Sequence, residues 1–130
     1  MSPLWLQKPT PKDSKSNDVP QWVRELVLTR AASHCESCGG PCYLKDHALH
    51  HRRVKGMGGS KDAATHTVPN LVLVCAACHR AIHENPDQAR AAGWLVRQGA
   101  DPSRVPILLH NGRTVLLDAA GSYVAYEEAS

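Results

Sequence analysis

The sequence predicts a small α+β domain whose core is too thin to hold without a staple. Three observations carry that expectation. The chain has 130 residues, no Phe and only 5% aromatic residues, and at that size a disulfide, a metal or a partner usually supplements apolar burial. Four of its five cysteines fall into two Cys-x-x-Cys pairs, Cys35/Cys38 and Cys75/Cys78. Between and after those pairs, two short strand-like runs lead into a helical one.

Residues 1–18 are polar and proline-rich and are expected to form a disordered basic arm, residues 19–93 the folded domain, and residues 94–130 a β-hairpin extension. Asp18 is a plausible helix cap with Pro20 near the first turn. Trp22, Val23, Leu26 and Val27 recur on one helical face, and the helix should end near Ala32. The knuckle Cys35-Glu36-Ser37-Cys38 runs into Gly39-Gly40, a turn that lets two sulfurs reach one ion. Cys42 reads as a small buried hydrophobe, and His34 as a loop residue.

A strand is expected over residues 48–52 and a second over 71–74, pairing antiparallel, with a helix over 75–84 stopped by Asn85-Pro86. Pro86 then opens a short helix that Gly93 ends. Residues 105–109 and 114–117 flank His110-Asn111-Gly112-Arg113, a hairpin signal, and 123–126 add a third strand. No residue from 94 onward reads as part of a site.

A net charge of +3 permits a polyanionic partner without arguing for one. The sequence shows no apolar run of membrane length and no secretory leader, so a soluble intracellular protein is expected, with no membrane partner. In a reducing compartment, paired cysteines favour metal thiolates over disulfides, and the separation of the two pairs matches a tetrahedral Cys₄ zinc site. His50 and His51 are neighbours, so on a strand they point to opposite faces. One is expected to bind metal and the other to act as a base. His79 and His83 are four apart on a helix, on one face, and able to share an ion. Arg52, Arg53, Lys55 and Lys61, interleaved with Gly56, Gly58 and Gly59, form a basic loop suited to phosphate approach. Taken singly, each has a bland reading: core or surface histidines, a mobile loop, and a turn residue for Asn70.

In the order Cys-x-x-Cys, His-His, Asn, Cys-x-x-Cys-His, x-x-x-His, these residues resemble the HNH endonucleases over roughly residues 22–86. The local text Leu49-His50-His51-Arg52-Arg53, Gly56-Met57-Gly58-Gly59-Ser60 and Asn70-Leu71-Val72-Leu73-Val74-Cys75 is similar to HNH proteins of actinobacterial phages. The resemblance implies a ββα-metal (His-Me finger) fold of two antiparallel strands, a loop and a helix around one divalent ion, beside the structural Cys₄ zinc. It implies hydrolysis of DNA phosphodiester bonds, by nicking or double-strand cleavage. His51 would be the general base and His50 a metal ligand. Asn70 would brace the base-bearing loop or bind the ion, and His79 and His83 would be the helical ligands.

Three imidazoles suit Zn²⁺, Ni²⁺, Co²⁺ or Mn²⁺, whereas added oxygen ligands would favour Mg²⁺ or Mn²⁺. The implied partner is double-stranded DNA, held mainly through phosphates by Arg52, Arg53, Lys55 and Lys61. The phage likeness further implies work beside terminase and portal during DNA packaging, in the cytoplasm of a bacterial host. Two rivals stand beside this reading. A non-catalytic zinc-ribbon DNA-binding module explains the cysteines and basic residues but not the histidines, and a packaging-accessory protein would keep the fold with its activity lost or subordinated.

Overall fold

Burial rather than side-chain capping decides how the first helix is set. In the structure, a computed structural model describing residues 19–41, 46–53 and 66–126, helix α1 spans Gln21–Ala31 with Pro20 at its N-cap and no side-chain cap bond. It buries Val23, Val27, Leu28 and Ala31, a stripe at i, i+4, i+5 and i+8 that faces inward as one band. Trp22 lies off that band and is 62% exposed, contrary to its expected place in the apolar face. The helix ends on two left-handed residues, Ala32 and Ser33 (φ 53° and 61°), where the Ser33 N–H donates back to the Leu28 carbonyl at 3.2 Å. The expected N-terminal arm with its cap at Asp18, Cys42, and the glycine-rich loop with Lys55 and Lys61 lie outside the described residues.

Strand β1, His47–His51, pairs antiparallel with β2, Leu71–Cys75, placing His47 opposite Cys75 and His51 opposite Leu71. Leu71 to Val74 are fully buried, as a continuous apolar run covered on both faces should be. Helix α2, Ala76–Glu84, follows β2 without a loop, and α3, Pro86–Ala91, carries Pro86 in its first turn. The result is the expected α+β architecture, a ββα unit with α1 packed on β2.

The segment expected as an extension shares the same core. Strands β3 (Ile107–Leu108), β4 (Thr114–Leu117) and β5 (Tyr123–Ala125) form a three-stranded sheet in that order. Trp94, Ile107, Leu109, Val115 and Leu117 belong to one buried cluster with Val23, Val27 and Leu71 to Val74. Gly93 makes the junction close. Its φ is +86°, and a Cβ there would stand 2.0 Å from the Pro106 carbonyl oxygen.

Among the described residues, Arg52, Glu36 and Arg30 bury their charged side chains. Arg52 is 0% exposed. Its Nε donates to the Gly93 carbonyl (2.8 Å), Nη1 to those of Pro69 (2.9 Å) and Pro102 (3.0 Å), and Nη2 to that of Val105 (2.8 Å). Burial, with the nearby Arg30 charge, pulls its pKa down to about 10. A guanidinium spent on four carbonyls cannot reach a phosphate, so the expected DNA contact of Arg52 is corrected to a structural one.

Glu36, inside the first cysteine knuckle, is only 2% exposed. Its carboxylate accepts from Arg30 Nε and Nη2 (2.9 Å each), the Leu73 N–H (2.8 Å) and the Tyr123 hydroxyl (2.6 Å). Burial and the Glu36 charge raise the Tyr123 pKa. These bonds tie α1, the knuckle, β2 and β5 together.

Candidate metal centres and active site

The two cysteine pairs come together as their spacing predicts. Cys35 and Cys38 sit on the turn after α1, and Cys75 and Cys78 at the β2–α2 junction, with the four sulfurs all within 4.8 Å of one another. In a tetrahedron with Zn–S near 2.3 Å the sulfurs stand about 3.8 Å apart, and Cys38 Sγ lies 3.9 Å from Cys75 Sγ. The Cys38 and Gly40 N–H groups point at Cys35 Sγ and Cys38 Sγ, at 3.4 Å each. Burial pushes the Cys35 and Cys78 thiols up. At Cys75 burial also raises the pKa, but the Cys78 backbone N–H and the other three sulfurs outweigh it and bring it to about 7. Four sulfurs packed so closely cannot all ionise without a cation among them, and the donor set fits zinc.

The second cluster is built by His50 from β1 and by His79 and His83 from α2, again with ligand atoms within 4.8 Å of one another. His50 is 2% exposed. Its Nε2 donates to the Trp94 carbonyl at 2.8 Å. A carbonyl can only accept, so the proton sits on Nε2 and Nδ1 keeps the lone pair a metal needs. Burial, opposed in part by that carbonyl, pushes the His50 pKa down to about 4, and burial lowers that of His79 as well. His79 Nε2 and His83 Nε2 are 3.1 Å apart, near the roughly 3.0–3.4 Å between adjacent nitrogens bound at about 2.1 Å. The three imidazoles therefore fit a divalent ion. Trp94, part of a segment that offered no chemistry in the sequence, supplies the bond that orients one of them.

His51, the next residue on β1, turns to a different neighbourhood. Its Nε2 lies 3.2 Å from His66 Nδ1, with ring centroids 5.2 Å apart. Asn70 is fully buried, and its amide spans the residue after the buried arginine. Oδ1 accepts from the Arg53 N–H (2.7 Å) and Nδ2 donates to the Arg53 carbonyl (3.1 Å). Of the two roles left open for Asn70, this geometry is that of a brace. Arg53 is half-buried and donates from Nη1 to the Ala100 carbonyl (3.0 Å), while Lys55 and Lys61 lie outside the described residues.

His66, which the structure brings against His51, does not stand out in the sequence. Its only signal in the sequence is a histidine four positions before Asn70, and no spacing rule pairs it with His51.

A ββα unit carrying a cysteine cluster and a histidine cluster, each able to hold a metal ion, has the architecture of the ββα-metal class. Residues 35–85 match the family model described as HNH endonuclease. The match begins at the first cysteine, includes every histidine and cysteine of both clusters, and ends just past His83. No curated protein and no solved structure gives a significant match to the chain. Domains of this family act on DNA as nucleases. Among the described residues no helix is long and apolar enough to cross a membrane.

Proposed function

We propose that this chain is a metal-dependent endonuclease that hydrolyses DNA phosphodiester bonds. The observation that carries the reading is the convergence of His50, His79 and His83, with His51 next to the first of them on the strand. A divalent ion held by the three imidazoles would supply positive charge for the phosphate and leaving 3′ oxygens. An imidazole ordinarily titrates near neutrality, so His51 can take a proton from water in the resting state. The hydroxide attacks phosphorus in line, the P–O3′ bond breaks, and the leaving oxygen takes a proton from solvent water, giving a 5′ phosphate and a 3′ hydroxyl. His50 is kept neutral and ring-fixed by its burial and its bond to Trp94. Asn70 holds the backbone just beyond His51 through Arg53.

Imidazole ligands favour Zn²⁺, Ni²⁺, Co²⁺ or Mn²⁺ over Mg²⁺ in this site, and thiolates favour Zn²⁺ in the other. We take double-stranded DNA as the substrate, with Arg53, Lys55 and Lys61 as its phosphate contacts. Service beside a phage terminase and portal, in a bacterial cytoplasm, is the setting the phage likeness suggests. The test is nicking of supercoiled plasmid by purified protein, with chelator, metal add-back and His51→Ala alongside. Metal-dependent nicking lost in His51→Ala is expected. Equal activity of the variant and the unaltered chain would overturn the assignment.

A further inference from the structure

The segment that carries His66 is clamped to the end of β1 and to α1 by bonds that involve neither His51 nor His66. The Arg52 N–H donates to the Asn70 carbonyl at 2.8 Å, and Arg52 Nη1 to the Pro69 carbonyl at 2.9 Å. Arg30 Nη1 donates to the Val68 carbonyl at 3.2 Å, and the Asn70 amide grips Arg53 from both sides. Val68 and Pro69 are buried. His66 thus stands at the mouth of a fixed stretch, with its Nδ1 3.2 Å from His51 Nε2.

Two imidazole nitrogens can hydrogen-bond only if one carries a hydrogen and the other a lone pair. The contact therefore couples the tautomers of the two rings and restrains rotation of His51; with His51 Nε2–H donating to His66 Nδ1, the His51 Nδ1 lone pair is left for water. A base needs both: the wrong tautomer presents N–H where a lone pair must meet water, as when the carboxylate that orients a catalytic histidine is neutralised.

We propose that His66 is a positioning residue for the general base, its Nδ1 fixing the ring plane and tautomer of His51. This rests on the nuclease reading. The test uses the full chain, its His66→Ala, His66→Asn and His51→Ala variants, plasmid nicking with Mn²⁺ or Ni²⁺, and nitrogen-15 NMR of the imidazoles. His66→Ala is expected to lower kcat about a hundredfold, the scale of a misplaced catalytic group, with KM, fold and bound metal unchanged. His66→Asn, whose amide falls near the position of Nδ1, should recover most of the loss. In the unaltered chain His51 should show one tautomer, and in His66→Ala a mixture.

Wild-type kcat in His66→Ala beside a dead His51→Ala overturns the proposal and leaves the nuclease reading intact. So does a loss that tracks unfolding and that Asn does not relieve. If wild type and His51→Ala are equally inactive, the nuclease reading fails and the catalytic part of the proposal with it. The NMR arm then still decides the contact, because identical His51 spectra in wild type and His66→Ala would refute it.

Discussion

A guanidinium loses several kcal/mol of hydration when it enters a protein interior, so a buried arginine must recover that from its partners. Arg52 does so with carbonyls alone, from Pro69, Gly93, Pro102 and Val105, which join the end of β1 to three other stretches of chain. Nothing in Leu49-His50-His51-Arg52-Arg53 distinguishes the buried arginine from its neighbour, because both read as basic loop. The structure separates them by a strand end, after which the Arg52 side chain turns inward. Arg52→Met should cost about 3 kcal/mol, since relief of the buried charge only partly offsets carbonyls left without donors at about 1–3 kcal/mol each, and a urea unfolding midpoint reads it. The salt dependence of DNA binding by the variant, measured where it is folded, should keep the slope of the unaltered chain. A phosphate contact would instead lower the slope by about 1 on its removal.

The elements that could be read from the sequence are those whose signal is local. Alternation does not mark β1, but the apolar run at β2, the Asn85-Pro86 stop and the Asn111-Gly112 turn are local signals, and each marks an element the structure contains. The i, i+4 spacing put His79 and His83 together for the same reason. What stayed hidden depends on contacts remote in sequence. Trp22 is as apolar as Val23, and only the position of β2 decides which faces inward. Glu36 looks like filler in Cys-x-x-Cys until Arg30 and Tyr123 arrive from six and 87 residues away. Gly93 could be read as a helix stop, but its close approach to Pro106 could not.

Gly93→Ala should therefore do more than strain a left-handed residue. That strain alone is about 1–2 kcal/mol, and the new Cβ would also collide with backbone at 2.0 Å. The chain would have to part where Gly93 and Trp94 offer their carbonyls to Arg52 and His50. Gly112 is the control, with φ +84° and no atom within 4 Å of where a Cβ would stand. Thermal melts should show a small loss for Gly112→Ala and a loss at least twice as large for Gly93→Ala, with second-site metal affinity weakened only in the latter.

At the scale of the whole molecule the two clusters share one short piece of chain, and the proposed function gives them different work. Cys75 ends β2 and caps α2, Cys78 lies one turn on, and His79 follows it directly. Gripping both sulfurs fixes the start of the helix and with it the direction in which His79 and His83 project. The magnitudes separate the roles. Structural zinc contributes apparent free energies of about 10–16 kcal/mol in small metal-folded units, whereas a domain has only about 5–15 kcal/mol of net stability in all. Loss of a thiolate should exceed what the thin core can absorb, so Cys75→Ser is expected to give insoluble or molten protein without bound zinc. His51 lies outside both clusters, and its removal takes away neither ligand nor core packing. His51→Ala should keep the near-ultraviolet circular dichroism and the zinc content of the unaltered chain while losing nicking. A zinc assay, a melt and a plasmid assay on the same two preparations decide it. Equal loss of folding in both variants would mean that the thiolate cluster does not hold the domain together in the way its position between β2 and α2 implies.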